Sequence, residues 1–270
     1  MELKKLWAFF RKDFLSEASY RLAFALQLLN VLGSLLTFYF VDRLFGNRMV
    51  EYLALYGSSY FTYVLVGMAF FNFAGTGLGS LSGRIHAEQI QGTLEAILVT
   101  PIRMSTFLVS ISLWNFVLAT VTLLLYLVVA TIGFQLDFGR ANLLSVLVIL
   151  ALTGVAFTGL GLLCASLVLV FKRGNPLAWI LQQGFSPLFS GVYFPISVFP
   201  EWLRLISYCL PSTYALQAME LAVHRNASLM DLLPQLGILC ALSLAISPLG
   251  LWSFKVAFAK AKRDGSLGHY

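Results

Sequence analysis

Residues 104–136, MSTFLVSISLWNFVLATVTLLLYLVVATIGFQL, run for 33 positions without one charged side chain. A helix needs roughly 20 apolar residues to cross a ~30 Å hydrocarbon core, so this stretch holds one membrane crossing and not two. Outward from it the pattern repeats: charge-free stretches of 20 to 32 residues occupy 22–41, 52–83, 141–171, 174–200 and 232–254. The reading is all-α, a polytopic membrane protein with six spans. They lie within 22–41, 59–83, 104–133, 142–171, 174–194 and 232–254 of a single domain covering 1–270. Composition agrees. Of 270 residues 59% are hydrophobic and 11% charged, and the mean hydropathy is +0.83. Soluble domains are near 45–50% apolar and about 25% charged, which excludes a cytosolic enzyme, a nucleic-acid binder and a disordered chain.

Six spans put both termini on one side, and Lys and Arg decide which side. Lys4, Lys5, Arg11, Lys12 and Arg21 precede the first span. Arg84 and Arg103 lie between the second and third, Lys172 and Arg173 between the fourth and fifth, and Lys255, Lys260, Lys262 and Arg263 follow the sixth. These thirteen face Arg43, Arg48, Arg140, Arg204 and Arg225, five in all, on the other side. Both termini are therefore expected in the cytoplasm, with the chain in the plasma (inner) membrane. The net charge of +6 reads as topology and lipid attraction, not as nucleic-acid binding.

Leu6–Phe10 is too short an apolar run for a cleavable signal peptide. Leu3, Leu6, Trp7, Phe10 and Phe14 instead recur on one helical face, with Lys4, Lys5, Arg11 and Lys12 mostly elsewhere. Segment 1–20 is read as an interfacial helix on the inner leaflet; a short basic tail is the alternative. Cys164, Cys209 and Cys240 share no short spacing, and His86, His224 and His269 are scattered, so no metal site and no disulfide framework is expected. The spans carry no charge, which weighs against an ion-coupled carrier, and the two halves show no repeat. No catalytic motif and no GxxxxGK[ST] loop is present, so the chain needs no cofactor of its own and its energy must come from another chain.

Mild polar groups remain inside the spans. Gln27, Asn30, Asn72, Gln182 and Gln183 either line a pathway or tie helices together by hydrogen bonds. Gly75 and Gly79, four apart on an apolar helix, read as a close-packing notch.

Two segments depart from plain spanning. Between spans 2 and 3, residues 84–100 place Ile90, Leu94, Ile97 and Leu98 on one helical face, with Glu88, Gln91 and Glu95 elsewhere; Thr100-Pro101 suits the start of the next helix. An amphipathic helix here, exposing Glu88 and Glu95, offers a docking element. Between spans 5 and 6, Pro187, Pro195, Pro200 and Pro211 alternate with Tyr193, Phe194, Phe199, Trp202, Tyr208 and Tyr214. Prolines at this density break a helix, and irregular backbone at membrane depth must be buried or line a cavity. Residues 195–231 are read as short helices re-entering the outer leaflet, with a headgroup-level external loop as the alternative.

The pattern Glu88, Gly92-Thr93-Leu94-Glu95, Thr100-Pro101 resembles the cytoplasmic loop of ABC-2 type transporter permeases. The run Ser190 to Leu216, SGVYFPISVFPEWLRLISYCLPSTYAL, is similar to the same family's segment between spans 5 and 6. The resemblance extends over nearly the whole chain and implies the transmembrane subunit of a type V-like ABC exporter. Two permease copies, identical or paralogous, would form the pathway, and separate ATPase subunits would bind ATP and Mg. Glu88, Gly92, Thr93, Leu94, Glu95, Thr100 and Pro101 would couple to the ATPase. The N-terminal helix would be a second contact. Tyr193, Phe194, Pro195, Phe199, Pro200, Trp202 and Pro211 would form an outer gate, with spans 1, 2 and 5 lining the path. The cargo expected from a charge-free, aromatic-rich lining is an amphipathic drug or lipid-like molecule; a lipid-linked polysaccharide or glycoconjugate is the alternative. Readings of another class are an autonomous carrier or channel, and a membrane scaffold that moves nothing.

Overall fold

The computed structural model describes residues 10–12, 14–15, 21–92, 104–139, 141–171 and 176–263. Among the described residues all regular structure is helical. The long elements are α1 (Arg21–Leu53), α2 (Tyr60–Ile90), α3 (Met104–Phe134), α4 (Leu143–Phe171) and α9 (Leu233–Arg263). At 1.5 Å per residue, 29 to 33 residues make each about 43–50 Å long, more than the ~30 Å core requires. All five contain stretches long and apolar enough to cross a membrane. The chain is an integral membrane protein.

Many hydroxyls are tolerated in these helices because they bond back to their own turn. Thr37 donates to the Gly33 carbonyl at 2.8 Å, Thr120 to Phe116 at 2.8 Å and Thr153 to Ile149 at 2.7 Å. A buried hydroxyl closed on the preceding turn presents little polarity to lipid.

The centre of the bundle is α2 against α4. Gly77 and Gly161 sit at their crossing, where a Cβ on Gly161 would overlap the Gly77 carbonyl oxygen. On its other side α4 meets α9 through Gly159 and Gly250, again backbone to backbone. Without side chains at these points the helices approach closely, and the van der Waals contact replaces the hydrophobic drive that lipid does not supply. The core around them includes Phe70, Phe157, Leu65, Leu78 and Ile149, all nearly inaccessible. By contrast α1 is peripheral, with 11% of its most apolar window buried. It is held by a hydrogen bond from Gln27 to Thr122 of α3 at 2.7 Å.

In the region read as the fifth span, the described backbone is not regular α-helix throughout. The described part is a short helix α5 (Pro176–Ile180), a π-helical turn (Leu181–Phe185) and α6 (Ser186–Phe189). Pro187 has no N–H and its ring clashes with a regular preceding turn. The chain widens ahead of it, the Ser186 N–H bonding the Leu181 carbonyl, and one residue of slack is absorbed. This segment runs antiparallel to α2. The Gln182 amide enters the notch between Gly75 and Gly79 and donates to the Gly75 carbonyl at 3.3 Å. Val192 lies against Gly67, and Tyr63 donates to the Gly191 carbonyl at 2.6 Å. Gly191, with φ +89°, turns the chain there, a conformation that side chains disfavour.

Beyond this turn lie a 3₁₀ turn (Ile196–Val198), α7 (Glu201–Tyr208) and α8 (Pro211–His224). They cap the end of the bundle formed by the α1–α2 and α3–α4 connections. Arg225 donates to the Ala54 carbonyl at 2.7 Å and the Leu55 carbonyl at 3.2 Å. Asn142 N–H reaches the Ala222 carbonyl at 3.0 Å, and the Ser145 hydroxyl the Ala227 carbonyl at 3.0 Å.

Candidate functional site

Two regions carry the residues singled out from the sequence: the far end of α2, and the cap. α2 runs unbroken to Ile90, so residues 84–90 belong to the second spanning helix and not to a separate helix. Glu88 is 6% exposed and pairs with Arg84 at 2.9 Å, one turn back. It is therefore not presented to a partner as the sequence reading expected. Arg84 and Glu88, at i, i+4, instead close an ion pair on the helix itself. The helix ends at Gly92, whose φ of +67° is the left-handed geometry of a residue just past a helix C-terminus. A continuous helix from Glu88 to Leu98 is interrupted at that point. The glycine was the available signal, since it follows a helical pattern directly. Thr93, Leu94, Glu95, Thr100 and Pro101 lie outside the described residues.

On the N-terminal segment, Phe10 and Phe14 meet Trp114 of α3 edge to face, with centroids 4.9 and 6.2 Å apart. Such pairs add about 0.5–1.5 kcal/mol beyond burial. Leu3, Leu6 and Trp7 lie outside the described residues.

The intramembrane amides divide. Gln27 and Gln182 tie helices, as described above. Asn30 and Asn72 are exposed. Asn72 stands out because nearly everything around it on α2 is buried. With Thr76 and Ser80, half-buried, and Gly83, exposed, it forms a mild polar stripe along one face of that helix. Gln183 lies in the π turn, and its side chain is outside the described set.

The cap brings the aromatic and proline residues together. Tyr193 stacks on Phe38 of α1, with centroids 5.7 Å apart, and Phe199 packs against Phe194 and Phe189 at 5.3 and 6.0 Å. Pro195 and Pro200 stand immediately before the 3₁₀ turn and α7. Pro211 opens α8 at the position where a missing N–H costs nothing. Arg204 donates to the Ser197 and Phe199 carbonyls, both at 2.8 Å, fixing the turn between them. The hydroxyls of Ser190 and Ser212 bond to each other across the cap. Trp202 is 66% exposed and takes no part in this packing.

One cap residue was missed. Glu220 of α8 is 0% exposed, and its carboxylate lies 3.1 Å from His224 Nε2 without hydrogen-bond alignment. The signal was there: Glu220 and His224 are i, i+4 on a helix whose other residues are largely apolar. Burial pushes the Glu220 carboxyl well above the usual carboxylate range and the His224 imidazolium down to about 4. Burial, with Glu220 nearby, also pushes the Tyr56 phenol up to about 12. Burial disfavours charge on each group. The Glu220 contribution to stability is whole below the ordinary carboxylate range and lost as pH rises through its raised value. The His224 contribution is present above about 6.5 and lost as pH falls through about 4. Glu220→Gln, neutral at every pH, is expected to raise the unfolding temperature at pH 8–9 and to leave it nearly unchanged at pH 5. Thermal unfolding of both proteins in one detergent across that range checks this.

Among the described residues, five long apolar helices braced by a cap of broken helices make a polytopic membrane protein. A family model described as ABC-2 family transporter protein matches residues 20–252, and the chain belongs to that family. Its membrane chains are permease subunits, generally not themselves enzymes, that work with ABC ATPase subunits. No curated protein matches the chain.

Proposed function

We propose that this chain is the permease subunit of an ATP-driven exporter in the plasma (inner) membrane, with both termini cytoplasmic. Two copies, identical or paralogous, form the pathway, and ATPase subunits carrying ATP and Mg dock below. The observation that carries this reading is the continuity of α2. One rigid helix joins the Gly92 turn, next to the proposed coupling residues Glu95, Thr100 and Pro101, to Tyr63, which holds the cap through Gly191. The same helix packs on α1, α3, α4, α5 and α8. A displacement imposed by the ATPase at the cytoplasmic end therefore reaches the cap without passing through a hinge. Packed bundles respond to such a push by rocking as bodies rather than by bending.

The segment 176–191 serves as the remaining crossing, shortened by its π turn, and α7 and α8 re-enter the outer leaflet as the gate. The stripe of Asn72, Thr76 and Ser80 faces the seam between the two copies, because an amide turned to lipid is costly while one turned to a partner or a wet path is not. That mild stripe on an otherwise apolar face suits an amphipathic drug or lipid-like cargo.

The orientation is tested by single cysteines at Asn226→Cys and Asp264→Cys, after replacing Cys164, Cys209 and Cys240. An impermeant thiol reagent applied to intact cells should label position 226 and leave 264 unlabelled. Labelling of both from the same side overturns the topology.

A further inference from the structure

Between α3 and α9, with α4 as its floor, runs a trough made of two adjoining cavities of about 500 and 540 Å³. They share Phe116, Thr158, Leu162 and Leu251 and so form one continuous depression. Along α4 it extends from Leu162 to Leu147, fifteen residues or about 22 Å, which exceeds one leaflet's share of a ~30 Å core. Its walls are almost wholly apolar, and three of its four hydroxyls are engaged elsewhere. Thr158 donates to the Gly154 carbonyl at 2.6 Å, Thr120 to Phe116 at 2.8 Å and Ser247 to Val155 at 3.2 Å. Such a floor offers nothing to a sugar or an ion and everything to an aliphatic chain.

Among the described residues a single charge stands on the lining, Lys255 at one end, flanked by the stacked rings of Phe254 and Phe258. Lys262, seven residues on and exposed, lies on the same face of α9. An apolar channel of acyl-chain length that ends at a cation, with a second cation in line beyond it, is complementary to a molecule with one fatty chain in the trough and an anion at its head.

We propose that the trough binds an anionic glycerophospholipid, one acyl chain lying between α3 and α9 and the phosphate resting on Lys255. The site is separate from the seam proposed for cargo and from the cap. The lipid closes a gap that protein side chains leave open, bracing α3 against α9. Transport is not involved in its test, so it stands or falls apart from the exporter reading.

Purified protein is reconstituted in discs of equal phosphatidylglycerol and phosphatidylcholine, extracted into mild detergent, and its retained phospholipid counted by native mass spectrometry. The wild type should keep one phosphatidylglycerol per chain, favoured at least five-fold over phosphatidylcholine. Lys255→Glu should abolish that preference and Lys255→Arg preserve it. At Gly154, on the trough floor, an added Cβ meets only ordinary contacts with Phe116, so Gly154→Leu fills the trough and should remove the retained lipid. Should that variant lose its helical spectrum or elute as aggregate, Leu113→Trp, on the exposed rim, serves instead. Equal retention of the two lipids by the wild type, an unchanged preference in Lys255→Glu, or full retention in a folded trough-filled variant would each overturn the proposal.

Discussion

Replacing Gly161 by alanine should lower the unfolding temperature by roughly 5 °C, the loss that about 3 kcal/mol gives a chain of this size. The added methyl falls on the Gly77 carbonyl oxygen, and that oxygen belongs to backbone already fixed in α2. It has no rotamer to escape into, so α2 and α4 must separate. On the facing helix the space is equally closed, a Cβ on Gly77 meeting Phe157 Cβ at 2.9 Å. Overpacking of this kind costs about 1–3 kcal/mol, and a rigid obstacle puts it at the upper end. The helix-propensity gain of about 1 kcal/mol from glycine to alanine is too small to offset it. Gly237 of α9 provides the control. Nothing lies within 4 Å of its missing Cβ, so Gly237→Ala should show that gain alone, stabilising by roughly 0.5–1 kcal/mol. A Gly161→Ala protein as stable as the wild type would mean that the two helices do not cross at that pair.

The second large effect is functional. Gly92 has φ +67° and open space around it, so a side chain there is limited by backbone conformation and not by contact. A β-branched residue resists the left-handed region, whereas asparagine enters it routinely. Gly92→Val should therefore redirect the chain as it leaves α2 while costing no more than about 1–2 kcal/mol in stability. In the complex with its ATPase, cargo-stimulated ATP hydrolysis should fall at least ten-fold with membrane insertion intact. Gly92→Asn should keep most of the activity. Glu95→Gln probes the same coupling three residues further along the sequence. Unchanged coupling in Gly92→Val would detach the turn from the mechanism.

Membrane character and helical class were legible because the hydrocarbon core imposes a length and an apolarity that charge gaps reveal directly. So was the Gly75/Gly79 notch, although what fills it is the Gln182 amide and not another backbone. The extent of α2 was harder. Arg84 and Glu88 look like the start of a polar loop, but the ion pair between them lets the helix continue past the point where charge first appears. The interruption at 181–185 was also concealed. Pro187 announced a break, yet whether a proline kinks, ends or widens a helix depends on what the neighbouring helix allows. Glu220 escaped notice because a lone carboxylate in a segment read as re-entering the outer leaflet, near the headgroups, passes for a solvated one. Only the packing of α8 against α2, α4 and α9 takes it out of water.

The most direct test of the exporter account is to purify the chain at native expression level and measure ATP hydrolysis by whatever it brings with it in lipid discs. The account predicts a stoichiometric ATPase subunit whose activity is stimulated by amphipathic cargo and uncoupled by Gly92→Val. A stable homo-oligomer that never captures an ATPase and hydrolyses no ATP would contradict it.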